Sequence, residues 1–505
     1  MKRSLIRLFA MLMALALLGT MAFAEVPADV DLSKHVDLFM YLLGDPSPDL
    51  DRVLAEINKL AERDLNCTLS IGYIPWSDMD TKYSLILASG EPVDLMFTGD
   101  WAYYTQEATK GAFLELTDEM LQKYMPGTWA QWTPAAWNHE LLNGKKYAVP
   151  NNLAQYTTAT QCVAIRGDLR EKYGIEPLKT IQDWENYVIT VAQNEDAITA
   201  CTCSIDNRFV KQVTLYAPND IVYVPAATDF VYHYKEGEPF TEDQLEYTYF
   251  LPEYVDWAKH MKELVEAGVW SRNSASSTLQ NQEAYESGQS ATCIHHFKSV
   301  LGSVDKINME HPEWKPEAYN LFPDNIKTQA LYSGDAMAIP VASKNPERAM
   351  MLLDKLNSDE TYYNLMQYGI EGVHWIDEGN GKFSEGPEWS NFRNAGCGQW
   401  GMQNQIFWKT SVNENPQIAE FTAQYDAKVV HPIAEGFRPD ETPVRNEMAA
   451  IRTVEEQYGY LLDLGLVDDV DAAYEELKKE LERAGIDKVI AEYRRQLGEF
   501  LAAVQ

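Results

Sequence analysis

Residues 36–74 read VDLFMYLLGDPSPDLDRVLAEINKLAERDLNCTLSIGYI, and the change of period inside this stretch decides the fold class. Val36 to Leu43 is an apolar run of strand length, stopped by Gly44-Asp45-Pro46. Leu50, Val53, Leu54, Ile57, Leu60 and Ala61 then recur at helical spacing, and Asn66 closes that helix. Cys67 to Ile74 is a second strand. A further helix is predicted over roughly 78–88, and after Ser89-Gly90-Glu91-Pro92 comes a third strand, Val93 to Phe97. Strand, helix, strand, helix, strand predicts an α/β lobe: a parallel sheet with helices on both faces.

In such sheets ligands sit outside the carboxyl ends of the strands. Those ends are Gly44-Asp45, Tyr73 to Trp76, and Thr98 to Trp101. Trp76, Asp100 and Trp101 are therefore candidates for ligand contact. Each indole either stacks a ligand or folds back onto the lobe.

Downstream, Gly144 to Asn152 (GKKYAVPNN) is a polar turn followed by a strand. A long run follows with Gln155, Tyr156 and the apolar Cys162 to Ile165. Helices are predicted near 181–193 and 252–267. Strands are predicted at Gln289 to Ile294, ending at His295-His296, and from Tyr332 to Ile339. Asn345-Pro346 starts a helix with core residues Ala349, Leu352, Leu353 and Leu356. A second helix runs from Asp359 to Tyr368, with Gly369 as its cap. The chain closes with two amphipathic helices separated by Gly485.

The first residues, MKRSLIRLFAMLMALALLGTMAFA, combine Lys2, Arg3 and Arg7 with an apolar run and an Ala22-Phe23-Ala24 cleavage site. This predicts a secretory signal peptide over 1–24. No cysteine follows the apolar core, so no lipid attachment point is expected. The whole chain carries 42 Lys+Arg against 76 Asp+Glu, a net charge of −34. Removing the three basic residues of the signal makes this more negative still. Such a balance argues against nucleic acid or an anionic membrane surface as partner. With 505 residues, one small core is too little, and two large lobes fit better. Six cysteines, at 67, 162, 201, 203, 293 and 397, lack zinc-site spacing and are expected mostly as buried thiols.

Catalytic signatures do not emerge. Gly396-Cys-Gly-Gln-Trp-Gly401 matches G-x-G-x-x-G, but Pro387 to Asn394 before it is not a buried strand. Its glycines instead suit a close backbone approach, with Trp400 presented beside it. His295 and His296, if on a strand, point to opposite faces and cannot chelate one metal. No cofactor or metal site is expected. Paired carboxylates for glycoside hydrolysis have no local signature, so an enzyme reading stays open.

The order of these features resembles the extracellular solute-binding proteins of ABC transporters, of the carbohydrate-binding type. The resemblance rests on the signal peptide, the βαβαβ lobe, G-K-K-Y-A-V-P at 144–150 and N-P-E-R-A-M-M-L-L-D-K-L at 345–356. It also rests on Y-G-I-E-G-V-H-W at 368–375 and the tail A-G-I-D-K-V-I-A-E-Y-R-R-Q-L-G-E-F-L-A-A-V at 484–504. The last two look like a subgroup with a distinctive C-terminal domain. The resemblance implies a two-lobed periplasmic-binding-protein-like fold of type II, closing on a sugar by hinge bending. Lobe one would be 25–150 plus about 333–385, and lobe two 151–332 plus about 386–505 with the C-terminal helices. It implies an exported, monomeric protein, periplasmic or at the cell surface, that delivers its sugar to the transmembrane permease subunits.

A sugar cleft needs flat apolar faces and polar side chains for hydroxyls. Glu371, His374 and Trp375 offer one of each kind, with Gly369 and Gly372 letting their loop fold inward; alternatively Trp375 is local core. Further candidates are Asn151, Asn152 and Gln155 past the first crossing, His296, Tyr332 near a hinge, and Trp400. A secreted carbohydrate-active enzyme and a receptor for a cationic or peptide solute remain the competing readings.

Overall fold

The computed structural model describes residues 27, 29–153, 162–204, 208–224, 227–277, 279–329, 331–392 and 398–504. The signal-peptide segment, Gln155 and Cys397 lie outside the described residues.

The opening stretch folds as its periods demand. Strand β1 (Val36–Leu43) pairs in parallel with β2 (Cys67–Ile74) along its whole length, and with β3 (Leu95–Thr98) on its other side. The helix Leu50–Leu65 turns Leu50, Val53, Leu54, Ile57, Ala61 and Leu65 inward. It ends where Asn66 adopts a left-handed conformation (φ 46°), its backbone N–H donating to the Glu62 carbonyl. The sheet is completed by two strands from later in the chain. Ala336–Ala338 pairs antiparallel with β3, and Ala148–Pro150 pairs antiparallel with Ala336–Ala338. The chain thus leaves this sheet at Pro150 and returns at Ala336. The strand expected from Tyr332 is shorter than its apolar pattern suggested, because Tyr332–Gly334 forms a 3-10 turn.

A second core is built on two small antiparallel sheets. One joins Cys162–Arg166 to Thr292–His295 and Pro316–Asn320. The other joins Ile221–Val224, Ala227–His233 and Glu246–Tyr247. The C-terminal helices Val470–Ala484 and Ile486–Val504 are part of this core rather than an appendage. Leu477, Leu481, Val489, Tyr493 and Leu497 share one buried cluster with Trp184, Tyr187 and Trp257. A buried ionic seam fixes them further. Lys211 Nζ lies 2.5 Å from Asp463 Oδ2, and Tyr254 donates its hydroxyl to Asp463 Oδ1 at 2.7 Å. Removing either charge would leave the other buried without this counter-ion.

The core cluster of the first sheet includes residues beyond 385. Phe392 and Met402 are buried in the cluster of β1 to β3. Gly401 permits this: a Cβ there would lie 2.9 Å from both Phe97 and Met337. The following stretch passes to the second core, where Phe421 and Tyr425 pack with Cys162 and Phe297. Cys67, Cys162, Cys201, Cys203 and Cys293 are buried and carry no disulfide.

Candidate ligand-binding site

Three indoles meet at the carboxyl edge of the first sheet. Trp76 follows β2, Trp101 follows β3, and Trp400 lies on the short helix Gly398–Gly401 seated on the same lobe. The rings of Trp76 and Trp400 stack with centroids 5.8 Å apart and 26° between planes. Trp101 lies 6.1 Å from Trp76 and 6.5 Å from Trp400. Trp76 remains 43 % exposed and Trp101 41 %, so much indole surface stays in contact with solvent. Solvent-exposed aromatic faces gathered in this way form a platform for the apolar side of a flat ring.

Polar groups anchor the platform from beneath. Trp101 Nε1 donates to Asp335 Oδ1 at 3.1 Å. Burial raises the Asp335 carboxyl to about 6, against the opposing pull of that hydrogen bond. Thr98 Oγ1 donates to the Ala102 carbonyl, fixing the turn that carries Trp101. Gly99 is required there, since a Cβ would fall 2.1 Å from the Gly334 carbonyl oxygen.

Asp100 behaves differently from its expectation as a ligand contact. Its carboxylate is engaged by Arg438, whose Nε and Nη2 donate to Oδ1 at 3.0 and 2.7 Å. Ser333 Oγ donates to Oδ2 at 3.0 Å. Arg438 neighbours Phe437, a member of the second core, so this contact marks the edge bearing the indoles as one that meets the second lobe.

Residues 55–372 match the family of bacterial extracellular solute-binding proteins, and residues 433–502 match a domain of unknown function. The chain belongs to the bacterial extracellular solute-binding protein family. This solute-binding protein is 28 % identical over 477 residues to a carbohydrate ABC transporter substrate-binding protein of Streptococcus pneumoniae, covering 92 % of this chain and 90 % of the relative. It is 26 % identical over 374 residues to the polygalacturonan/rhamnogalacturonan-binding protein YtcQ of Bacillus subtilis, covering 70 % and 69 %. Among solved structures, the N-glycan transport solute-binding protein of Streptococcus pneumoniae in complex with Man1GlcNAc aligns with a TM-score of 0.72 at 23 % identity, over 92 % of this chain and 100 % of that one. The fold is the two-lobed type II solute-binding architecture.

Within this solute-binding protein, the loop 368–375 buries two of the three side chains expected to meet a sugar. Trp375 is 2 % exposed and packs in a cluster with Tyr363, Tyr368 and Phe383. Its Nε1 donates to the Gly369 carbonyl at 3.0 Å. His374 is fully buried: Nδ1 accepts the Ile370 N–H at 2.9 Å, and Nε2 meets Asp49 Oδ2 at 3.0 Å. Gly369 is glycine because φ is +79° and a Cβ would lie 2.5 Å from His374 Nδ1. Glu371 is exposed on the same loop. The loop therefore closes the helix Glu360–Tyr368 over its own aromatic core.

Several other candidates also serve the framework. Asn151 and Asn152 are buried; Asn151 Oδ1 accepts the Leu153 N–H, and Asn152 Nδ2 donates to Asn404 Oδ1 at 3.2 Å. Asn152 ties the outgoing crossing to the chain at 403–404, its N–H donating to the Gln403 carbonyl, while the Asn151 N–H donates to the Asp335 carbonyl. His296 does not extend a strand, which stops at His295. It caps the helix Phe297–Glu310 instead: Nδ1 accepts the Ser299 N–H at 3.2 Å, so Nε2–H faces Ser299 Oγ at 2.9 Å. Burial lowers its pKa to about 4, which keeps the imidazole neutral. The His295 and His296 rings lie 4.6 Å apart, not on opposite faces. Tyr332 is half-buried, with its ring 5.5 Å from His139 and its N–H donated to His139 Nδ1.

Asp335 and Arg438 were not singled out by sequence. Asp335 sits inside an apolar strand pattern, and Arg438 in a C-terminal loop without motif. Among the described residues no group of three or more His, Cys, Asp or Glu could hold a metal ion.

Proposed function

We propose that this solute-binding protein captures a neutral oligosaccharide between its two lobes and hands it, unchanged, to the transmembrane subunits of an ABC importer. The observation that carries the reading is the three-indole platform. Trp76 and Trp101 keep large open faces at a sheet edge where such folds bind ligands. Indoles offer C–H-bearing sugar faces a desolvating surface, whereas hydroxyls can be met by the carboxylates and carbonyls around it. Trp76, Trp101 and Trp400 are the proposed ligand contacts. Asp100, Asn151, Asn152, His296 and Tyr332 support the frame around the cleft, and Glu371, His374 and Trp375 belong to the fold of lobe one.

Neutral sugars are favoured over uronates by the local charge. Asp335 lies under Trp101, and Asp80 accepts the hydroxyl of Tyr103 close by. The guanidinium of Arg438, which reaches this edge, is already engaged by Asp100. A carboxylated sugar would add like charge to this surface. In this reading lobe one comprises residues 25–150 with the return from 333 to about 402, and lobe two the remainder, including the C-terminal helices. The relatives' printed names support a carbohydrate ligand, and since one of them binds polygalacturonan, a polyuronate, the preference for neutral sugars rests on the local charge alone. The family name supports export.

The test is a thermal-shift screen of the mature protein against neutral glycans, oligouronates and polyamines, with product analysis of each hit. A ligand at 100 times its Kd stabilises by about 2.7 kcal/mol. Shifts with neutral glycans recovered intact are expected. Cleaved products would establish an enzyme, and shifts with amines alone would replace sugar by a cationic solute.

A further inference from the structure

We infer that Arg438, in the C-terminal domain of unknown function, is a positioning residue for the indole platform, so that this domain helps to shape the ligand site from the second lobe. The inference rests on the platform being the binding site, as proposed above.

The residue is committed to one place. Its side chain is 2 % exposed, and all five N–H donors have acceptors on the first lobe. Nε donates to Asp100 Oδ1, and Nη2 to the same oxygen and to Ser333 Oγ. Nη1 donates to the carbonyls of His139 and Leu141. The guanidinium carbon also lies 5.7 Å from the centre of the Tyr104 ring. Arg438 thereby clamps three separate segments together: the turn after β3, the 139–141 segment and the turn before Ala336–Ala338.

Two of these segments carry the platform. Asp100 immediately precedes Trp101, and its backbone N–H donates to the Ser333 carbonyl at 3.1 Å. Ser333 lies two residues before Asp335, the acceptor of the Trp101 indole N–H. Arg438 thus grips both sides of the bracket that sets the Trp101 ring. The base of Arg438 is held in turn by the second core, where Phe437 packs against Phe500 of the last helix with centroids 5.7 Å apart. A chain of contacts runs from the C-terminal helix through Phe437 and Arg438 to Asp100 and Trp101.

A buried carboxyl beside the clamp has no other evident role. Glu140 is fully buried, and neither side-chain oxygen has a hydrogen-bond partner. Burial raises it to about 8, although the Arg438 charge pulls the other way. It is therefore largely protonated at neutral pH, and the ion pair of the Arg438 guanidinium is the one with Asp100. Losing Arg438 would not leave two buried negative charges.

The experiment uses the full mature chain with Arg438→Met, Arg438→Lys and, should Arg438→Met fail to fold, Asp100→Ala. Coupled indoles within about 6 Å of one another give a strong aromatic circular-dichroism signal, which is read without ligand. Arg438→Met is expected to change the indole bands while the far-ultraviolet spectrum stays unchanged. That change should vanish when it is made in a Trp101→Phe background. The best neutral glycan from the screen should bind the Met variant about tenfold more weakly, with partial recovery in Arg438→Lys. Indole bands identical to those of the parent, or a change that persists without Trp101, would overturn the inference. If the parent protein binds no glycan while the bands still change through Trp101, the positioning role stands and the sugar reading fails.

Discussion

Two tryptophan-bearing loops in this protein look alike on paper and behave oppositely. The loop 368–375 ends a helix with glycines and carries a carboxylate, an imidazole and an indole. The turn 98–101 ends a strand with a glycine, a carboxylate and an indole. In the first, the indole N–H bonds to a carbonyl of its own loop, and the ring is buried in one cluster with Tyr368, 5.5 Å away, which in turn lies 5.2 Å from Phe383. In the second, the N–H bonds downward to Asp335, and one ring face stays open beside Trp76 and Trp400. The two indoles thus differ in exposure, 2 % for Trp375 against 41 % for Trp101, although each has its N–H satisfied. Residue type alone does not settle which case applies.

This contrast predicts an exchange of phenotypes. Trp375→Ala should destabilise the fold by about 3–5 kcal/mol, as for other large-to-small changes in a closed core. Chemical denaturation measures it, and glycan affinity of the protein that remains folded should be unchanged. Trp101→Ala should leave the denaturation midpoint close to that of the parent, because the ring is 41 % exposed. Its glycan affinity should fall by about 2 kcal/mol, roughly thirtyfold, by calorimetry. Trp76→Ala should behave like Trp101→Ala. A Trp375 variant that stays fully stable but loses ligand would reverse the assignment of the two loops.

What could be read in advance follows the same line. The β1 to β3 unit was legible because its signals are local: unbroken apolar strands, a 3.6-residue stripe, and Asn66 and Gly90 in left-handed caps. The strand ends then located Trp76 and Trp101, and the glycines around 396–401 announced the close approach that Gly401 makes. The fate of Trp375 was not legible. Its enclosure depends on Phe383 and Tyr363, and an enclosed and an open loop place identical demands on Gly369. The Arg438–Asp100 contact was further out of reach, spanning 338 positions with no pattern linking its ends. The C-terminal helices showed their apolar stripes, but not that their stripes complete the core of Trp184 and Trp257.

The smallest expected effect sharpens the comparison at the handle of Trp101 itself. Asp335 titrates near 6 in the folded protein, above its ordinary value of 3.8, because burial disfavours its charge. A raised carboxyl binds its proton more tightly when folded than when unfolded. Its contribution to stability is therefore complete below pH 4 and is lost as pH rises through about 6. Asp335 is only half-buried by surface area, so the loss should amount to about 1 kcal/mol once solvent screening is allowed for. Asp335→Asn removes the titration while retaining an oxygen to accept the indole N–H. Between pH 4 and pH 7 the variant should lose less stability than the parent in urea, and the parent's indole circular dichroism should shift with a midpoint near 6 that the variant lacks. A Trp375→Phe protein should keep the same midpoint, since that ring bonds to a backbone carbonyl with nothing to titrate. A spectral midpoint that follows Trp375 instead of Trp101 would mean that the responsive indole had been assigned to the wrong loop.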